Sequence, residues 1–289
     1  MDEVVALRRL VPGDEPLLFE FLSQYVESSL FFFSNVERVG LVDHGERFQG
    51  TYVASFDAAG AITAVAGHSW TGTLLLQGDR GLEQAARRAV ELTGRKVGGL
   101  IGPWSLVCRA RRALGLEETR AGHDGAELLF ALSLDALRLP ALLSQGGVAL
   151  RPPTAAEASG VLSGWRFDYQ VETLGLARTP EQELRARRDT EGWREAGNLW
   201  VLTVNGQIVA MTGFNAETRG MVQVGGVFTP PSLRGRGYAR AAVAASLAQA
   251  RDKGAQRSIL FTAKSNQAAQ RAYTALGYEV IGDFGLVLF

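Results

Sequence analysis

The chain has 289 residues, 46% hydrophobic and 21% charged, and its 30 Lys+Arg balance 30 Asp+Glu to a formal charge of zero. That is the composition of a globular protein, and the neutral balance argues against nucleic acid or an anionic membrane as main partner, since both select a basic face. Cys108 is the sole cysteine, which excludes a disulfide scaffold. No stretch approaches the ~20 apolar residues that span a bilayer. The acidic opening MDEVVALRRL carries no basic-then-apolar leader, so the expected location is cytoplasmic.

In chain order, Val5-Ala6-Leu7-Arg8 opens a short strand-like run that Val148-Ala149-Leu150-Arg151 repeats later. Ser29 to Asn35, SLFFFSN, reads as core or as the lining of a cleft. Thr51 to Gly67 alternates in the manner of two strands around a turn at Ala59-Gly60, and Leu199 to Gly213 does the same around Asn205-Gly206, the strongest short hairpin signal. In each half a third apolar run follows, at Leu74–Leu76 and Val222–Val224. A helical stretch comes next, at Leu82–Leu92 and Tyr238–Lys253. Cys108, within Trp104 to Cys108, reads as a small core residue. Glu181 to Glu195 carries both charge signs and reads as a solvated helix face. The expectation is an α/β protein (mixed α+β sheets) made of two copies of one unit, 1–143 and 148–289, joined near Leu143–Gly147.

The most informative segment runs from Val224 to Gly254. A short strand ends at Pro230 and Pro231, which cannot donate to a ladder. The turn Arg234-Gly235-Arg236-Gly237 then opens an Ala-rich helix that stops at Gly254. Glycines allow close backbone approach, and the first amides of a helix lack internal partners and carry the positive end of its dipole. This is a place for phosphate oxygens, with Arg234 and Arg236 available for charge-assisted bonds. The alternative is a glycine-capped surface loop with two solvated arginines. A dinucleotide fingerprint needs a small residue where Arg240 stands, and a triphosphate loop needs Gly-Lys-Ser/Thr, which is absent.

Arg234, Gly237 and Ala239 occupy the places of Arg/Gln-x-x-Gly-x-Gly/Ala, and the segment SILFTAKSNQAAQRAYTALGYEVIG follows. Asn266 opens its helix, Tyr273 comes seven residues later, and Leu276-Gly277-Tyr278 closes it. In these two ordered motifs the chain resembles the GNAT superfamily of N-acetyltransferases. The resemblance covers about Val148 to Phe289. The first half resembles the same fold only through its hairpin echo, as in tandem members of the superfamily, so it reads as a degenerate GNAT-like unit.

The resemblance implies acetyl transfer from acetyl-CoA to a primary amine of a small molecule or peptide, by direct attack on the thioester. It places the pyrophosphate on the turn and helix start, with Arg234, Gly235, Arg236, Gly237, Tyr238 and Ala239. It places the pantetheine arm along Val227, Phe228 and Thr229, beside the doubled Gly225-Gly226, which fits a bulge or simply a weakened strand end. Asn266 and Tyr273 are two helical turns, about 10 Å, apart on one face. In the implied reading Asn266 bonds the cofactor arm, and the catalytic residue Tyr273 gives a proton to the departing thiolate. No acid stands between Met221 and Thr229, so no base is assigned. Trp165 and Tyr169, with Asp168 and Glu172, are candidates for the acceptor pocket, against the alternative of an amphipathic helix with its aromatics in the core. No metal is expected: His44, His68 and His123 are scattered through the first half. The first half has no such glycine turn and is left to pack, to shape the acceptor cleft or to support a homodimer. The rival functions are a non-catalytic acyl-CoA-binding sensor and a purely structural module.

Overall fold

The computed structural model describes residues 6–289; Val5, at the head of the first echo, and the acidic residues before it lie outside them. The described chain forms two compact units, one of the residues up to Leu128 together with Gly282–Phe289, the other of Leu129–Ile281. Among the described residues no helix is long and apolar enough to cross a membrane.

Unit 1 contains β1 (Ala6–Arg9), α1 (Glu15–Leu22), α2 (Leu30–Val39), β2 (Gly50–Phe56), β3 (Ile62–Ser69), β4 (Thr73–Gly78), α3 (Leu82–Thr93), β5 (Gly99–Pro103), α4 (Trp104–Ala113) and the start of β6 (His123–Ser133). β1 to β4 pair successively antiparallel, and β4 pairs β5 in parallel through α3 as crossover. The SLFFFSN stretch resolves to core: Phe32 and Phe33 of α2 are buried with Leu18, Leu22 and Tyr52. Cys108 is half-buried on α4, and burial pushes its thiol pKa up.

Unit 2 contains β7 (Val148–Arg151), α5 (Ala155–Glu157), α6 (Ser163–Leu174), α7 (Pro180–Glu195), β8 (Leu199–Val204), β9 (Gln207–Thr218), β10 (Met221–Phe228), α8 (Tyr238–Asp252), β11 (Arg257–Ala263), α9 (Gln267–Leu276) and the start of β12 (Glu279–Leu288). Its pairings repeat those of unit 1: β7 to β10 antiparallel, then β10 with β11 in parallel. Asn205 (φ 50°) and Gly206 (φ 80°) both take positive φ, which the tight hairpin of β8 and β9 requires. Each fold is therefore a mixed α/β sheet flanked by helices.

The sixth strand of each unit comes from the other half of the sequence. In unit 1, Phe284–Leu288 of β12 pairs antiparallel with β5. In unit 2, the neighbour of β11 is β6, whose residues Leu129 to Ser133 belong to this unit. The compact units thus do not follow one cut between 143 and 148.

Because side chains alternate along a strand, the sheet of unit 2 buries two faces. Leu202 and Ala210 meet the Ala241-Ala242 face of α8, where small side chains let the helix come close. Leu199, Val201 and Met211 meet Trp165, Tyr169 and Trp193 from α6 and α7. The segment Glu181–Glu195 is therefore more than a solvated face: Ala186 and Thr190 are buried, and Trp193 joins the core.

Candidate cofactor and acyl-transfer site

The centre of the site is the end of β10. Its parallel pairing with β11 covers only Met221–Gln223 against Arg257–Ile259, whereas β10 continues to Phe228 against β9. From Val224 onward no strand among the described residues pairs with that edge of β10. The β9 register slips between Gly225 and Phe228, so that one extra β10 residue is accommodated, and Gly226 takes φ +58°. This is a bulge with glycine in the left-handed region, which bends the strand away from its neighbour. The ring of Trp193 stands 2.6 Å from where a Cβ on Gly226 would lie, so only glycine fits there.

Phe228 and Thr229 close the strand. Both are buried, and the Thr229 hydroxyl oxygen has no hydrogen-bond partner among the described residues. Val227, between Gly226 and Phe228, is half-buried. After Pro230 the chain makes one 3₁₀ turn, Pro231–Leu233, and enters the glycine turn. Gly235 (φ +78°) and Gly237 (φ +77°) both need the left-handed region. Among the described residues nothing lies within 4 Å of a Cβ at Gly235, and at Gly237 only Arg240 Nη2 does, at 3.7 Å. Gly237 is the N-cap of α8, and no side chain caps that helix. The amides of Tyr238 and Ala239 therefore face a space open to an anion, backed by the helix dipole.

The two arginines of the turn differ. Arg236 is exposed. Arg234 folds back, its Nε donating to Thr229 O at 2.9 Å, its Nη2 to Glu172 at 2.6 Å, and its guanidinium lying over Phe228 at 5.5 Å. Arg234 thus fastens the turn to the strand end and to α6. The Nε of Arg240, one residue past Ala239 in the helix, is buried with no partner among the described residues. Orphaned donors, an unpaired strand edge and an uncapped helix together fit a ligand with a diphosphate and an amide-bearing arm such as acetyl-CoA.

On α9, Asn266 is the N-cap, its side-chain oxygen accepting from Ala269 N at 3.1 Å. Tyr273 is half-buried, with its ring edge-on to Phe130 at 6.1 Å and to Tyr278 at 6.0 Å. Tyr278 has a different task. It is buried, its hydroxyl meets Ser258 Oγ at 2.6 Å, and burial pushes its phenol well above the usual range. Gly277 turns the chain between the two at φ +103°, where a Cβ would stand 2.8 Å from Ala136 O.

The α6 candidates divide. Trp165 and Tyr169 pack into the core cluster, Trp165 at 6.1 Å from the Phe228 ring. Asp168 pairs with Arg178 at 2.8 Å and Glu172 with Arg234 at 2.6 Å, so both acids already have cations. The structure thus brings Phe228, Thr229, Arg234, Trp165 and Glu172 into one contact set, and keeps Tyr273 in an aromatic group with Phe130 and Tyr278. Sequence reasoning missed Trp193 and Arg166, which line the bulge. The available signal was a lone tryptophan at the end of a charged helix, opposite glycines at 213 and 226.

Residues 167–278 match the Acetyltransferase (GNAT) family. No curated protein matches the chain. Among solved structures, a GCN5-related N-acetyltransferase from Sphaerobacter thermophilus is 18% identical, with 99% of this chain and 95% of that chain covered and a TM-score of 0.59. A GNAT-family acetyltransferase from Colwellia psychrerythraea is 13% identical over 98% and 99% of the two chains, with a TM-score of 0.51. A tandem GNAT protein from the clavulanic acid biosynthesis pathway is 14% identical over 98% and 97%, also at 0.51. At these identities the likeness is one of fold. The splayed strand, glycine turn and uncapped helix all lie inside the segment that matches the GNAT acetyltransferase family, and the chain as a whole shares the fold of these GNAT structures.

Proposed function

We propose that unit 2 is an N-acetyltransferase that moves the acetyl group of acetyl-CoA to a primary amine of a small molecule or peptide by direct attack on the thioester. One observation carries this reading: β10 runs on past its last pairing with β11 and ends, two prolines later, at the open glycine turn of α8. When bound, the thioester supplies an activated acyl carbon. The free edge from Val224 to Thr229 offers backbone groups to the amide-bearing arm, as an added strand would use them. The amides of Tyr238 and Ala239, with Arg236, hold the diphosphate; charge-assisted bonds of this kind contribute about 1.5–3 kcal/mol each when well placed, and less for an exposed arginine. Backbone N–H groups at Val227 and Phe228 stabilise charge gathering on the thioester oxygen. Tyr273 delivers the proton to the leaving thiolate. With ordinary pKa values of ~10 for phenol and ~8.5 for thiol, that transfer is uphill by only ~2 kcal/mol.

The test has two stages. Acetyl-CoA should raise the melting temperature, because a ligand at 100 times its Kd adds about 2.7 kcal/mol; no shift at millimolar acetyl-CoA would end the proposal. A panel of primary amines followed by release of free thiol then separates an enzyme from a non-catalytic acyl-CoA binder.

A further inference from the structure

The fold of unit 2 places a cation, Arg166 of α6, directly against the bulge of β10. Its guanidinium lies 5.3 Å from the Tyr169 ring centroid and 4.5 Å from that of Trp193. Its Nη1 is 3.1 Å from where a Cβ on Gly226 would stand, and Gly226 is the left-handed residue of the bulge. Nε is buried without a hydrogen-bond partner, and among the described residues no carboxylate pairs with this arginine. The side chain is nonetheless half-buried rather than sealed.

Burying a cation without an anion is unfavourable, and aromatic faces offset only part of that cost. Burial indeed pushes the Arg166 pKa below its usual value; Arg185 of α7 adds to this, while Tyr169 and Asp189 oppose it. Asp189 is the facing acid, and it accepts from Gln170 Nε2 at 3.2 Å. Arginine stays charged at any physiological pH. Of the three charged residues on α6, Asp168 and Glu172 are neutralised by Arg178 and Arg234, which leaves Arg166 as the unmatched one. The helix expected to hold a cationic amine with its acids instead presents a spare positive charge beside the reacting strand.

We infer that Arg166 binds a carboxylate of the acceptor, so that the acceptors are amines carrying an acid group, of the amino-acid type, rather than polyamines. A planar guanidinium held between rings is suited to a bidentate carboxylate. The inference rests on the acetyl-transfer reading of the same site.

The experiment uses matched amines with and without the carboxylate: phenylalanine against 2-phenylethylamine, alanine against ethylamine, and 4-aminobutyrate against butylamine. Thiol release from acetyl-CoA gives kcat/KM, and tryptophan fluorescence in the presence of CoA reports binding near Trp193. The wild-type protein should favour the carboxylate member of at least one pair by about tenfold or more, the scale of one charge-assisted contact. Arg166→Met should remove that preference and leave CoA affinity unchanged. Arg166→Lys, which keeps the charge and guards against a folding defect, should retain part of it. Equal use of both members by the wild type would overturn the inference, as would an Arg166→Met loss shared equally by both, or weakened CoA binding in that variant. So would a protein that binds acetyl-CoA yet neither binds nor acetylates any carboxylate member, and in that case the cofactor reading stands. If the wild type does not bind acetyl-CoA, the functional reading itself has failed, and the inference fails with it.

Discussion

In each unit a helix follows the fourth strand, and the first turns of these two helices carry opposite charge. The turn before α3 holds Asp79 beside Arg80, and the first turn of α3 adds Glu83; both acids are clasped by Arg109, whose Nε meets Glu83 at 2.7 Å, Nη1 bonds the Asp79 carboxylate, and Nη2 reaches Asp79 O at 2.9 Å. The turn before α8 holds Arg234 and Arg236 and no acid. Both helices start from a left-handed glycine, Gly81 at φ +81° and Gly237 at φ +77°. The strands differ in the same sense. β3 and β4 pair in unbroken register; the parallel ladder of β4 and β5 also covers only three pairs, ending at Leu75–Ile101, but the backbones stay close beyond it, with a Cβ on Gly102 falling 2.6 Å from Leu76 O. β10 is bulged and loses β11 after Gln223. One pairing scheme thus yields two helix starts, one with two carboxylates tied to Arg109 beside it and one with no acid beside it. In the proposed function, what opens the start of α8 to an outside anion is the absence of an acid in the turn before it.

This contrast can be broken at several points. The largest effect is expected from Gly237→Glu, which forces a left-handed conformation on a side chain and puts a carboxylate at the N-cap of α8, beside the amides of Tyr238 and Ala239. It should abolish the thermal shift by acetyl-CoA, worth about 2.7 kcal/mol at 100 times Kd; a retained shift would show that the turn is not the anion site. Tyr273→Phe comes next, with the binding shift kept and turnover lowered by about 100-fold, the lower end for a general acid; stopped-flow thiol release would reveal an unchanged rate if the phenol has no part. Arg109→Ala should lower stability by about 1 kcal/mol or less, since the ion pairs are partly exposed, and acetyl-CoA titration should give the wild-type affinity.

The smallest effect is one of pH. Arg109 holds the Glu83 carboxyl below its ordinary value of 4.5. A depressed carboxylate stabilises the fold fully above that ordinary value and loses its contribution as pH falls toward the folded one. The stability gap between wild type and Arg109→Ala should therefore be widest near neutrality and narrow as the pH falls below 4.5 in urea titrations. A gap that widens in acid would contradict the pairing seen here.

Much of this was legible in the sequence because it is local. Asn205-Gly206 sets its hairpin, the prolines after Thr229 stop β10, Asn266 caps α9, and Gly235 and Gly237 shape the turn, each within a few residues. The doubled glycine before Val227 left bulge and weak strand end undecided, and the bulge is what formed. The rest depended on distant partners. Arg234 closes on Glu172, 62 residues away, so a residue read as a phosphate ligand also serves as a clasp. The acids of α6 look like an amine pocket until Arg178 and Arg234 are seen to neutralise them. Arg166 sits unremarkably in GWRFDY, and only the packing of α6, α7 and β10 isolates its charge. The aromatic residues Trp165 and Tyr169 went to the core, as an amphipathic helix would place them.

The crossed ownership of the sixth strands bears on biosynthesis. Val287 is wholly buried among Leu74, Leu100 and Val107, although 180 residues of sequence separate Pro103 from Phe284. At ~5–20 residues per second of synthesis, β5 waits roughly 10–40 s on the ribosome for the strand that covers it. During that interval the nascent first unit exposes an unfinished sheet margin, a natural point for chaperone engagement or for pairing with another nascent chain.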